Sequence, residues 1–337
     1  MRPDTEVAKS AIVERLPPEA VNCLSGSFVR LADLHGRCLD EASIMELGEG
    51  YLLRAGPDER SCPEIVFGVE EVVHRGLTAQ GCEVRTDAID PGDWAGQLRT
   101  LLADHLGVVV WVNSSHLPYA DVYTAHPRFM HALVALELSA DLRWVKVFDS
   151  LVDDRVRFAC VSWLPSAAFE AAILDRIPSK SLDHMGSFHV LERVREPLDD
   201  DNAAARSLVS QARKFRRIPE FHNVVNEYRS LCGAAFAGSR DTAKHAARRL
   251  FDNVNVLCVI PVLRLLDRSL VRAGAGDALL GQCRALAEDW HVLGLQGLKF
   301  EATLSASLAQ RIDERFERLD GATAHFWETV STELADD

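Results

Sequence analysis

Residues 130–150 read MHALVALELSADLRWVKVFDS. Two runs rich in apolar residues flank Ser139-Ala140-Asp141-Leu142, the pattern of two strands joined by a short polar turn. If those residues close a hairpin, Leu138 pairs with Arg143, and His131 stands opposite Ser150 and beside Asp149. An imidazole starting one strand and a carboxylate ending the next then meet at one end of a sheet. A carboxylate so placed fixes the tautomer of a histidine and supports its positive charge.

The strand character extends both ways. GVVVWVNSS (107–115) and RVRFACVSW (155–163) are short β-branched runs between polar turns. EIVFGVEEVVHRGL (64–77) and DWAGQLRTLLADHLG (93–107) have helical spacing, and Gly107 sits where the second helix would stop. After Pro165 the pattern turns helical: PSAAFEAAILDRI (165–177), SRDTAKHAARRLFDN (239–253), DALLGQCRALAEDWHVLG (277–294) and EATLSASLAQRIDERFERL (301–319). The last carries Leu304, Leu308, Ile312, Phe316 and Leu319 as one apolar stripe. The fold class expected is α+β. An N-terminal domain spans 1–164, a helical connection and linker 165–201 with the acidic run Glu196 to Asp201, and a mostly helical domain 202–337.

Composition limits the function classes. The chain has 337 residues with 50 acidic and 37 basic side chains, a net charge of −13, which argues against nucleic acid as a partner. Met1 to Arg15 lacks the apolar core of a secretory signal. The most apolar stretch, Val254 to Leu266, is broken by Asn255, Pro261 and Arg264, so no membrane span is expected. The eight cysteines are scattered without a CxxC pair, as reduced thiols of a cytoplasmic protein would be. No metal is expected. His126, His131 and Asp121 match no standard ligand spacing, His184 and His189 read as surface or packing histidines, and Gly48-Glu49-Gly50 reads as a turn.

Cys23 is the cysteine with a distinctive setting. Paired prolines precede it, Asn22 is a favoured N-cap, and Leu24, Phe28, Leu31 and His35 follow at helical spacing before Gly36. Unpaired N–H groups and the positive end of the helix dipole favour a thiolate there. Cysteine at a helix start, then a strand histidine, then a strand aspartate, is the papain-type order of nucleophile, base and orienter. The N–H of Cys23 and the Asn22 side chain are the candidate oxyanion donors.

The same residues carry a family resemblance. NCLSGSFVRLADLHGRCLDEASIMELGEGY (22–51), VVVWVNSSHLPYADVY (108–123) and HALVALEL with VKVFD (131–149) resemble the N-terminal domain of the butirosin biosynthesis protein H family. The resemblance covers roughly the first 160 residues. It implies a fold similar to the papain-like bacteriocin-processing peptidases, with Cys23 as nucleophile, His131 as base and Asp149 as orienting acid. Leu117, Pro118 and Tyr119 match a Leu-Pro-Tyr segment expected to contact substrate. The chain departs from the family at Asn22, where histidine is usual, and at Asn113, where aspartate is frequent. The activity implied is acyl transfer from a carrier-protein thioester, through an acyl-enzyme, to an amine acceptor in natural-product or antibiotic biosynthesis. No cofactor is needed beyond the phosphopantetheine arm of the acyl or peptidyl carrier protein. The same triad would also serve a chain-releasing cyclase, a thioesterase or a peptidase, and the fold without chemistry would be a carrier-binding module. Lys214, Arg216 and Arg217, with Arg248 and Arg249, are the basic residues expected to dock an acidic carrier.

Overall fold

The computed structural model describes residues 14–16, 20–58, 61–125, 129–152, 156–177, 182–195 and 202–335. In chain order the elements are β1 (Glu14–Leu16), α1 (Cys23–Leu34), α2 (Glu41–Leu47), β2 (Arg54–Pro57), β3 (Pro63–Val66), α3 (Val69–Ala79), β4 (Cys82–Ala88) and α4 (Trp94–Asp104). Next come β5 (Val108–Asn113), a 3₁₀ turn (Ser114–His116), α5 (Asp121–Ala125), β6 (Met130–Leu138), β7 (Trp144–Val152), β8 (Phe158–Pro165), α6 (Ser166–Leu174) and β9 (Ser187–Val194). The remainder is helical: α7 (Ala203–Arg217), α8 (Pro219–His222), α9 (Val224–Phe236), α10 (Arg240–Phe251), a π-helical stretch (Asp252–Leu257), α11 (Val259–Arg272), α12 (Asp277–Thr303) and α13 (Ala306–Glu333). The fold is mixed α+β.

Two compact units divide the chain, and neither is contiguous. The first holds Met1–Glu41, Leu77–Pro178 and Leu182–Leu198; the second holds Ala42–Gly76, Ser179–Ser181 and Asp199–Asp337. This differs from the expected boundaries at 164 and 201. Segment 42–76 belongs to the helical unit, and β9, inside the expected helical connection, is a strand of the sheet. The acidic run Glu196–Asp201 lies outside the described residues.

The first unit is built on a seven-stranded antiparallel sheet of order β1-β8-β7-β6-β5-β9-β4. One face packs Val110, Leu133, Ala135 and Val147 against Trp94 and Leu98 of α4 and Phe169 of α6. The other carries α1, whose Arg30 lies 5.0 Å over the Phe148 ring. Helix α1 forms where its sequence says it should. Asn22 caps Leu24 and Ser25, while Leu24, Phe28 and Leu31 are buried. Gly36 ends it in the left-handed region at φ 74°.

The hairpin forms, with a register that differs from the expected one. Leu138 pairs with Val145 and Glu137 with Lys146, and after a bulge Ala135 pairs with Val147 and Val134 with Phe148. The turn lies one residue further along than expected, at Ala140–Arg143, because Ser139 N–H bonds the Trp144 carbonyl and Leu142 turns left-handed at φ 59°. The pairing expected from the sequence would have put His131 and Asp149 on opposite faces; the observed one puts them on the same face.

In the second unit, β2 and β3 form a two-stranded ribbon, so the helix expected over 64–77 begins only at Val69. The helix expected to end at Gly294 runs on to Thr303. The apolar stripe of 301–319 is interrupted at Leu304, left-handed at φ 50°, after which α13 buries Leu308, Ile312, Phe316 and Leu319. Among the described residues no helix is long and apolar enough to cross a membrane.

Gly26 marks the closest approach of α1 to its surroundings. A Cβ there would stand 2.2 Å from Ala20 Cβ and 2.8 Å from Ser150 Oγ. Gly26→Ala is therefore expected to destabilise the protein by about 1–3 kcal/mol despite the better helix propensity of alanine. Urea unfolding checks this; unchanged or raised stability would mean that α1 yields without cost.

Candidate active site

Strands β5, β6 and β7 end together. β5 runs into this end at Asn113, β6 leaves it at Met130 and β7 returns to it after Asp149. The Asn113–Met130 pair places His131 one residue inside the sheet. Its Nε2 lies 2.8 Å from Asp149 Oδ1, with both side chains almost fully buried.

Asp149 is held on all sides. Its Oδ1 also accepts the Leu151 N–H at 3.0 Å, and Oδ2 accepts the hydroxyls of Tyr119 and Tyr123, each at 2.8 Å. Burial alone would raise its pKa. The charge and hydrogen bond of His131, the Tyr119 hydroxyl and the Leu151 N–H outweigh burial and hold it below the usual carboxylate range. For His131, burial works to lower the pKa, but Asp149, by charge and hydrogen bond, and then Cys23, by hydrogen bond and charge, push it up to about 10. Cys23 is therefore the third member of the group.

The chain entering Cys23 is bound as tightly. Glu41, nearly fully buried, accepts the N–H of Val21 at 2.7 Å, the N–H of Asn22 at 3.1 Å and the Ser25 hydroxyl at 2.6 Å. Asn22 Oδ1 accepts the N–H groups of Leu24 and Ser25 at 2.9 and 3.2 Å, and the Asn22 carbonyl accepts Gly26 N–H at 2.9 Å. Of the N–H groups from Val21 to Gly26, only that of Cys23 has no partner among the described residues. The first turn thus offers one backbone donor beside the thiol, as an oxyanion site requires. Capping occupies Asn22 Oδ1, which leaves the Nδ2 group of that side chain to donate.

No protein-family model and no curated protein matches the chain.

Cys23, His131 and Asp149 come together, with Asn22 at the helix start. The Leu-Pro-Tyr segment does not supply three substrate contacts. Leu117 is fully buried in the core, Tyr119 is buried with its hydroxyl on Asp149, and Pro118 alone is exposed. Tyr119 is a positioning residue. Its partner Tyr123, four residues on, and the buried Glu41 escape sequence reasoning. A tyrosine pair at helical spacing and a lone glutamate at a helix start are both common.

The basic residues divide in the same way. Lys214 is paired with Glu49 at 2.5 and 2.6 Å, Arg248 with Asp252 at 3.4 Å and Arg249 with Glu64 at 3.2 Å. These three serve the helical unit internally and are withdrawn as docking residues. Arg216 and Arg217 are exposed and have no ion pair among the described residues. His189 is fully buried in β9 and His184 exposed. His126 lies outside the described residues, and among those described no three His, Cys, Asp or Glu side chains form a metal site.

The other thiols contrast with Cys23. Burial pushes Cys82, Cys160, Cys232 and Cys258 upward and Cys283 up to about 12. Cys38 is the one exposed cysteine, and it has no histidine–aspartate pair. Iodoacetamide near neutral pH is expected to alkylate Cys23 first, about tenfold or more ahead of Cys38, because Cys23 is partly exposed at a helix start with the His131–Asp149 pair beside it. Peptide mapping after short exposures reads this; Cys38 labelling first would dissolve the thiolate–imidazolium pairing. A second outcome follows from the burial of His131. In Asp149→Asn the charge and hydrogen bond of the carboxylate are gone while burial remains, so with only Cys23 left to raise it the ring should titrate well below the wild-type value of about 10. Imidazole NMR measures the shift, and a ring that still titrates high would show that Asp149 is not its counter-ion.

Proposed function

We propose that the protein is a cysteine-dependent acyltransferase that takes an acyl group from a carrier-protein thioester and passes it to an amine. The observation that carries this reading is the Cys23 N–H, which has no partner among the described residues, beside a buried His131–Asp149 pair. Thioester exchange needs a thiolate, an acid for the leaving thiol and a donor for the oxyanion, and these residues are the groups that chemistry calls on. The resemblance of 22–51, 108–123 and 131–149 to the butirosin biosynthesis protein H family selects acyl transfer over peptide hydrolysis, and with it a papain-like fold.

The steps follow from the charges. The Cys23 thiolate attacks the thioester carbonyl, and the oxyanion is met by the Cys23 N–H. Collapse breaks the bond to the carrier's sulfur, which leaves with the proton of the His131 imidazolium. The acyl group now sits on Cys23 and His131 is neutral. A neutral amine attacks that carbonyl, its N–H proton passes to His131, and the C–S bond breaks to restore the thiolate–imidazolium pair. Asp149 stays ionised throughout, supports the imidazolium and fixes its tautomer. Arg216 and Arg217 are the exposed cations suited to an acidic carrier.

The test is intact-protein mass spectrometry after mixing with an acyl carrier thioester. Wild type should gain one acyl mass on Cys23 and lose it on addition of an amine, with the amide as product. Cys23→Ala should not load, and Asp149→Asn should load about 10²- to 10⁴-fold more slowly. Loading that persists in Cys23→Ala would end this assignment.

A further inference from the structure

Helix α7 carries Arg213, Arg216 and Arg217, at i, i+3 and i+4, so the three guanidiniums share one face of its last turns. Together with Ser331 of α13 they line an open pocket of about 360 Å³ within the second unit. All three arginines are exposed, and none has a carboxylate partner among the described residues. Acid is not in short supply, since the chain holds 50 acidic side chains against 37 basic ones. Elsewhere in the unit such cations are matched. Arg229 meets Asp313 and Glu317, Arg284 meets Asp267, Arg315 meets Asp289, and Lys214, on the same turn of α7, meets Glu49. Glu328 and Glu333 stand within one turn of Ser331 on α13, yet neither forms an ion pair with the three.

Helix electrostatics accounts for less charge than this. The last turn of α7 presents the negative end of its dipole, equivalent to about half an elementary charge, which one cation offsets. Three unpaired cations exceed that need, and like charges at these spacings repel one another. An anion entering the pocket relieves the repulsion. A guanidinium has only donors, and the Ser331 hydroxyl can donate as well, so the wall suits a ligand made of acceptors. Guanidinium forks match phosphate edge-on. A phosphate monoester brings three acceptor oxygens and about two negative charges, where a carboxylate brings two oxygens and one charge. Nucleic acid, the other common source of phosphate, is disfavoured by the net charge of −13.

We propose that Arg213, Arg216, Arg217 and Ser331 form a binding site for the phosphate monoester group of a small molecule. The site goes beyond the acyl-transfer reading and does not rest on it. An acidic carrier meeting Arg216 and Arg217 from outside is a different occupant, and the experiment separates the two.

The probe is inorganic phosphate, titrated calorimetrically at an ionic strength held constant with sodium chloride. Wild type should show one saturable site, and Arg213→Gln and Arg217→Gln should each weaken it about tenfold or more, since each removes a charged fork. Sodium acetate at the same ionic strength should give no saturable heat. Thermal unfolding supplies a second reading. Phosphate should raise the Tm of wild type and leave that of the variants unchanged. Without phosphate both variants should melt at or above wild type, because a repulsion is gone. Absence of saturable phosphate binding in wild type overturns the site, as does binding that both variants retain or that acetate matches. Both variants melting below wild type without phosphate overturns it in favour of helix capping. An oligoglutamate peptide that binds wild type more tightly than phosphate, and is lost in the same variants, overturns it in favour of an acidic protein partner.

Discussion

Asp149 is the group around which the first unit is organised. An ionised carboxylate with no solvent exposure is tolerable only if its lone pairs are used, and here an imidazole, two phenols and a backbone N–H use them. Removing one partner of a buried charge pair generally costs about 3–5 kcal/mol. Strand β7, the loop that brings Tyr119 and α5 with Tyr123 are thereby committed to one arrangement. The two tyrosines gain no acidity from it; burial, then the neighbouring carboxylate, raises both well above the ordinary phenol value. They stay protonated and act as donors.

Glu41 plays the corresponding part for the nucleophile. A glutamate accepting three donors from Val21, Asn22 and Ser25 fixes the entry to α1, and the Asn22 cap uses two further N–H groups. Donor capacity at Cys23 is therefore what remains after four neighbouring amides and a hydroxyl are accounted for. Chemistry at this helix start depends on bonds that do not involve the thiol.

Much of this was legible in the sequence because it follows local rules. Asn22 as cap, Gly36 as terminator and the two apolar strands of 130–150 depend on neighbours in the chain, and the structure realises all three. Cys23, His131 and Asp149 were found through those elements. The register was not legible, since a bulge after Ala135 and a left-handed Leu142 have no strong residue signature. The neighbours of Asp149 were not legible as contacts: Tyr119 reads as a substrate contact until the fold turns its hydroxyl onto Asp149, and Tyr123 gives no signal. β9 was missed because Ser187–Val194 follows a helix and pairs with β4 and β5, which lie about 80–110 residues earlier, too far for periodicity to report. Ala42–Gly76 was assigned to the wrong unit for the same reason.

That last segment has a consequence for how the protein is made. Ile44, Met45, Ile65 and Val73 leave the ribosome early, yet the seven helices α7 to α13 that make up most of their unit begin only at Ala203. At about 5–20 residues per second, the nascent chain carries this apolar segment for on the order of ten seconds before those helices exist. Meanwhile the sheet, which needs nothing beyond Val194, can close around the excursion. Production of the protein is thus most exposed to aggregation during elongation, and fragments cut at one point, whether near residue 164 or 201, would inherit half of a core in place of a domain.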